Sequence, residues 1–149
     1  METKQKLETA LKEAMRANDA VRKATIRMAL TNIKLAEVEK GSPLEDNAIL
    51  GILQKEIKGR REAISDAEKA NRPDLIANAE AEIVVLNEFL PKQLTPEELT
   101  VLANAAIQEV GASSPADMGK VMKVLMPRVQ GRIAGDQVSQ VLKQLLQKS

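Results

Sequence analysis

Apolar residues recur three and four positions apart along almost the whole chain, a spacing that suits α-helices and little else. Met118, Val121, Met122, Leu125 and Val129 show it most plainly, at i, i+3, i+4, i+7 and i+11. Leu99, Leu102, Ala103, Ala106, Ile107 and Val110 repeat it upstream, and Val138, Val141, Leu142 and Leu145 downstream. Phe89 is the single aromatic residue among 149, while Ala, Leu, Glu and Lys abound, so an aliphatic core and an all-α fold are expected.

The first part of the chain predicts four helices. One runs from Glu2 to about Asn18, with Leu7, Ala10, Leu11, Ala14 and Met15 on one face. Asp19 is placed to cap a second helix from Ala20 to Lys40. That helix has a wide apolar arc, Ile26, Leu30 and Ile33 with Val21, Met28 and Leu35, which predicts burial against more than one neighbour. Arg27 lies among these apolar residues and is expected to be partly buried with a carboxylate partner. After Gly41-Ser42-Pro43 a third helix runs from about Glu45 to Ala70, its seam Leu50, Leu53, Ile57, Ile64 and Ala67. The second and third helices are both long and joined by a short turn, so they are expected to form an antiparallel hairpin. Pro73 and Asp74 open a fourth helix to about Phe89, with Glu80, Glu82 and Glu88 outward.

Pro91 and Pro96 then interrupt any helix, and Thr95-Pro96-Glu97-Glu98 is a capping box for the next one. The expected division is an N-terminal helical domain, 1–92, followed by a small three-helix C-terminal tail module, 93–149. Within the tail, Ser114 and Asp117 read as an S-x-x-D cap with Pro115 at the first helical position, Pro127 must bend or end the helix, and Asp136 caps the last one.

The chain has no histidine and no cysteine, which removes the usual acid/base near neutral pH, the usual thiol nucleophile and most transition-metal ligands. No phosphate-binding glycine loop or nucleophile-elbow motif occurs, so no catalytic residue, cofactor site or metal site is expected. The start lacks a signal-like apolar run and no stretch is apolar over ~18 residues, so neither secretion nor membrane spanning is expected and the cytoplasm is the default. A net charge of +1 hides a division: residues 1–64 carry +3, residues 65–111 carry −6 and residues 112–149 carry +4. Two basic ends around an acidic middle argue for local basic surfaces rather than a general polyanion binder.

Four segments together resemble the GatB/YqeY family in its stand-alone YqeY form. They are Leu53–Ile64 (LQKEIKGRREAI), Ala70–Leu75 (ANRPDL), Glu88–Leu99 (EFLPKQLTPEEL), and DMGKVM from Asp117 with the following LMP, Arg128-Val129 and Gly131-Arg132. Three places depart from the pattern, four residues in all: Phe89 stands where Tyr is usual, Gly59 where a polar residue is usual, and Ile133-Ala134 where a small residue and Asp are usual. The family's tail module is shared with the B subunit of the tRNA-dependent amidotransferase, where it contacts the body of the tRNA while the chemistry happens elsewhere. The resemblance therefore implies tRNA binding, or an accessory role beside an aminoacyl-tRNA synthetase or amidotransferase, rather than carbon–nitrogen ligase activity of the chain's own.

The residues themselves offer two groups of candidate RNA contacts. Lys120, Lys123, Arg128 and Arg132 lie in the tail, where Asp117 and Asp136 are the only acids after residue 111; unpaired cations of that kind suit phosphates. Lys55, Lys58, Arg60 and Arg61 form the second group, although Glu56 before Arg60 and Lys58 before Glu62 are also ordinary helix-supporting pairs. Single-strand readers stack bases on aromatic rings, so one phenylalanine argues against base reading, in RNA or DNA, and for recognition of a folded RNA by shape and backbone charge. The alternative is a protein–protein adaptor whose Met118, Met122 and Met126 surface docks on a synthetase or amidotransferase.

Overall fold

The computed structural model describes residues 2–147 and is all-α, with seven α-helices and one 3-10 turn among the described residues. They are α1 (Thr3–Arg16), α2 (Ala20–Lys40), α3 (Asp46–Lys69), α4 (Pro73–Asn87), α5 (Pro96–Val110), the turn Pro115–Asp117, α6 (Met118–Val129) and α7 (Gly135–Gln147). The chain divides into two compact units, Met1–Leu90 and Pro91–Ser149, a break two residues before the expected 92/93 boundary. Hydrogen bonds explain the difference. The Leu94 N–H donates to the Arg132 carbonyl at 2.9 Å, and the Arg132 guanidinium donates to the Lys92 carbonyl at 3.1 Å, so residues 92–94 belong to the second unit.

The first unit packs α1–α4 around Leu7, Ile26, Ile33, Leu53 and Leu86, all without solvent exposure. Asp19 caps α2 as expected, its carboxylate accepting from the Arg22 N–H at 3.1 Å, and Gly41 ends that helix at φ +80°, a conformation glycine adopts without strain. Thr3 is buried, and its N–H donates to Asp46 at 2.9 Å, which ties the start of α1 to the start of α3. The largest helix contact of α3 is with α4, and that of α2 is with α1, whereas the direct α2–α3 contact on which the hairpin expectation rested is smaller. Two expectations for α2 are corrected. Only the Ile26, Ala29 and Ile33 side faces the core, leaving Met28 55% and Leu35 61% exposed. Arg27 is exposed and points at the Met15 sulfur, 3.9 Å away, rather than at a carboxylate.

In the second unit α5, α6 and α7 enclose Leu99, Ala103, Val121, Leu125, Val138 and Leu142. Thr95 caps α5 by accepting from the Glu98 N–H at 3.1 Å. The return arm of the box goes to the threonine hydroxyl, which donates to Glu98 Oε1 at 3.3 Å. Ser114 makes no side-chain cap; the cap is inverted, and Asp117 accepts from the Ser113 N–H at 3.0 Å beneath the 3-10 turn. Asp136 is the second residue of α7 rather than its cap.

Candidate nucleic-acid interface

Burial of α6 decides which of its cations reach water. Val121, Leu125 and Val129, at i, i+4 and i+8, are fully buried, and Met118, Met122 and Met126 pack beside them on the same core. The methionines are therefore half-buried against the tail's core, and only part of each is left for the partner surface of the adaptor reading. Lys120, Lys123 and Pro127 take the opposite face, and Arg128, seven residues after Val121, stands exposed at the edge toward α5. Pro127 lies in the last turn, where its missing N–H removes the bond that would have reached the Lys123 carbonyl, and the helix ends two residues later.

The four tail candidates are not equivalent. The Lys120 side chain is 75% exposed, with its ammonium 4.0 Å from Asp117. Asp117 is held below the usual carboxylate range chiefly by the Ser113 N–H, so it stays ionised beside that lysine. Lys123 is exposed and has no carboxylate partner among the described residues. Arg128 bonds Glu109 of α5 at 2.7 Å, an exposed pair whose side chains are 42% and 49% accessible. Arg132 is half-buried and pinned. After Gly131, at φ +79°, its backbone bonds Val129 and Leu94 while its guanidinium is held by the Lys92 carbonyl.

The α3 candidates divide more sharply, and they belong to the other compact unit. Arg60 is withdrawn from the surface: its side chain is 13% exposed and bonds Glu82 of α4 at 2.6 Å. It also donates to the Glu56 carbonyl at 3.3 Å and lies 3.9 Å from the Glu56 carboxylate. Glu56 accepts from Asn32 at 3.0 Å through one oxygen; the other oxygen is buried without a hydrogen-bond partner. Burial raises this carboxyl above the usual range, against the opposing pull of the Arg60 charge. Held between two glutamates and largely withdrawn from water, Arg60 is poorly placed to meet a phosphate, unlike the exposed candidates. Lys55, Lys58 and Arg61 remain exposed, although Lys58 has an interaction of its own.

Two residues escaped the sequence reading. Glu109 neutralises Arg128 from just outside the segment whose acids were counted. Lys143 is exposed on α7 among glutamines and adds to the tail's positive surface.

Several named proteins are similar to this chain. Over 113 residues the chain is 33% identical to "Altered inheritance of mitochondria protein 41, mitochondrial" of Lachancea thermotolerans, covering 74% of this chain and 60% of that protein. The protein of the same name in Eremothecium gossypii is 29% identical over 137 residues, covering 90% and 71%. An uncharacterized protein of Schizosaccharomyces pombe is 32% identical over 82 residues, covering 55% and 67%. The chain thus spans between about half and seven-tenths of the length of the relatives that carry the mitochondrial name. Those names correct the expectation of a cytoplasmic protein, which rested only on features the sequence lacks. The Yqey-like protein model matches residues 4–146, nearly the whole chain, and the chain belongs to that family.

Proposed function

We propose that this protein is a non-catalytic RNA-binding module that holds a folded RNA, by the family resemblance a tRNA, through shape and backbone charge. Lys120 and Lys123 make the primary phosphate contacts from the outward face of α6. The observation that carries this reading is their exposure, 75% for the Lys120 side chain, on a helix whose other side is buried. Arg128 joins them by exchange. Its exposed bond to Glu109 is worth only about 0–1 kcal/mol, so a phosphate accepting two guanidinium donors can displace the carboxylate. Arg132 keeps the loop after α6 in place and contributes field rather than contact. A synthetase or amidotransferase acting on the same tRNA is the natural neighbour of such a module.

A mobility shift with total tRNA across a salt series tests this. Neutralising two or three phosphates predicts that log K falls against log salt with a slope of about −2 to −3. Lys120→Glu with Lys123→Glu should abolish the shift while circular dichroism stays unchanged. Binding that ignores salt, or survives the double substitution, would overturn the assignment to α6.

A further inference from the structure

The outer face of α2 is left over from everything described so far. Val21, Ala24, Met28, Thr31, Leu35 and Val38 fall at alternating three- and four-residue steps, and all six are exposed. Five of the six are apolar, and exposure of the large ones rises along the stripe: 38% at Val21, 55% at Met28, 61% at Leu35 and 73% at Val38. The opposite side of α2 buries Ile26, Ala29 and Ile33, so the helix is apolar on two faces, a pattern that belongs to helices covered on both sides. The spacing is that of a heptad seam, with Val21, Met28 and Leu35 in one row and Ala24, Thr31 and Val38 in the other. Ala24 and Thr31 are short side chains, which lets another helix approach closely. Thr31 also sets one hydroxyl in the middle of the seam, a feature that costs affinity and favours a single register.

The edges of the stripe differ in charge. Arg27 and Lys34 flank it on one side, both exposed; Asn32 and Glu39 flank it on the other, where exposed Lys55 of α3 lines the same hollow as Leu35 and Glu39, and Arg60 reaches the Met28 sulfur at 3.7 Å. In a parallel helix pair one edge of each helix faces the opposite edge of its partner, five residues further along, whereas an antiparallel pair sets like edges together. Parallel pairing of two copies would place Lys34 against Glu39 of the second copy, and Arg27 against Asn32 of the second copy. Asn32 already donates its amide to Glu56 at 3.0 Å, which leaves its carbonyl oxygen to accept from that arginine. Antiparallel pairing would oppose cation to cation.

We propose that this face of α2 is a two-fold self-association surface on which a second copy of the chain docks with the two α2 helices parallel. From Val21 to Val38 the seam is about 26 Å long at ~1.5 Å per residue. One seam of that length, interrupted by a hydroxyl, lies at the low end of specific interfaces, so the dimer is weak, with a dissociation constant of about 10–100 µM. The surface is independent of the proposed RNA contacts on α6, and it can fail or succeed without them.

Sedimentation velocity of the full chain from about 5 to about 500 µM should show a monomer–dimer equilibrium. Leu35→Glu, at a position already exposed, should weaken it at least about tenfold, whereas Val101→Glu on α5 should not. Lys34→Glu should weaken it about threefold, and adding Glu39→Lys should restore it. The chain has no cysteine of its own, so orientation can be read with oxidised glutathione. Val21→Cys and Val38→Cys should each form a disulfide dimer alone. Cross-linking only when the two variants are mixed would mean antiparallel helices and overturn the proposal. So would a monomer at every concentration, a dimer indifferent to Leu35→Glu, or a monomer whose α2 face binds only a foreign helix.

Discussion

Arg60 and Arg128 are both helix arginines bonded to a glutamate on a neighbouring helix, at nearly the same distance, 2.6 and 2.7 Å. Their surroundings separate them. Arg60 and Glu82 are 13% and 24% exposed and belong to a cluster that includes the buried Glu56; Arg128 and Glu109 are 42% and 49% exposed and stand alone. Attraction between charges grows as water leaves, and so does the penalty for losing a partner. The first bond therefore helps hold α3 to α4, while the second is a surface contact open to exchange. The same contrast runs through the two units. In the first, Lys4 likewise joins Glu37 of another helix, and Arg22 joins Glu88 in the turn after α4. In the second, three helices close an aliphatic core with few acids, and the lysines of α6 remain in water.

The largest effect expected from this comparison is at Arg60. Arg60→Ala should cost about 2–4 kcal/mol in urea unfolding, because it leaves Glu82 and Glu56 without their cation, whereas Arg128→Ala should cost less than about 1 kcal/mol. Equal costs would erase the distinction. Next come the caps of the second unit: Thr95→Ala should lose about 1 kcal/mol and Ser114→Ala nothing measurable, since only the threonine accepts a helix N–H.

The smallest effects are in pH dependence, and they have opposite signs. Glu37 is held below its ordinary value of 4.5, first by the Lys4 ammonium and then by the Leu44 N–H. Its contribution is present above 4.5 and is lost as pH falls through the lower folded value. Glu56 is pushed above 4.5 by burial, so its contribution is present below 4.5 and is lost as pH rises through the higher folded value. Unfolding measured between about pH 3 and pH 6 should show a shallower acid loss for Glu37→Gln and a steeper one for Glu56→Gln. Matching changes in both variants would contradict the assigned surroundings.

Helix content and most helix ends were legible because they depend on near neighbours: apolar spacing, Asp19 and Thr95 as caps, Gly41 as a left-handed stop. Pairings between helices were not legible. Glu56 and Arg60 read as a surface i, i+4 pair because nothing in α3 reveals that Glu82 of α4 will sit over the arginine. Arg27 looked like the buried arginine for the same reason, since the apolar arc of α2 does not say which half meets the core. The basic character of the tail was visible. The availability of each cation depended on Glu109 and on the Lys92 carbonyl, both supplied by tertiary packing.

The stitching of residues 92–94 to the turn after α6 has a practical consequence. Gln93 bonds the Gly131 carbonyl at 2.9 Å, beside the Leu94 and Arg132 contacts, so this stretch presents fixed backbone where a pair of prolines would suggest an easily nicked hinge. Trypsin should cut slowly after Lys92 despite its exposure. A tail fragment intended for separate expression should start at Pro91 or earlier, because trimming to Gln93 discards the oxygen that anchors Arg132.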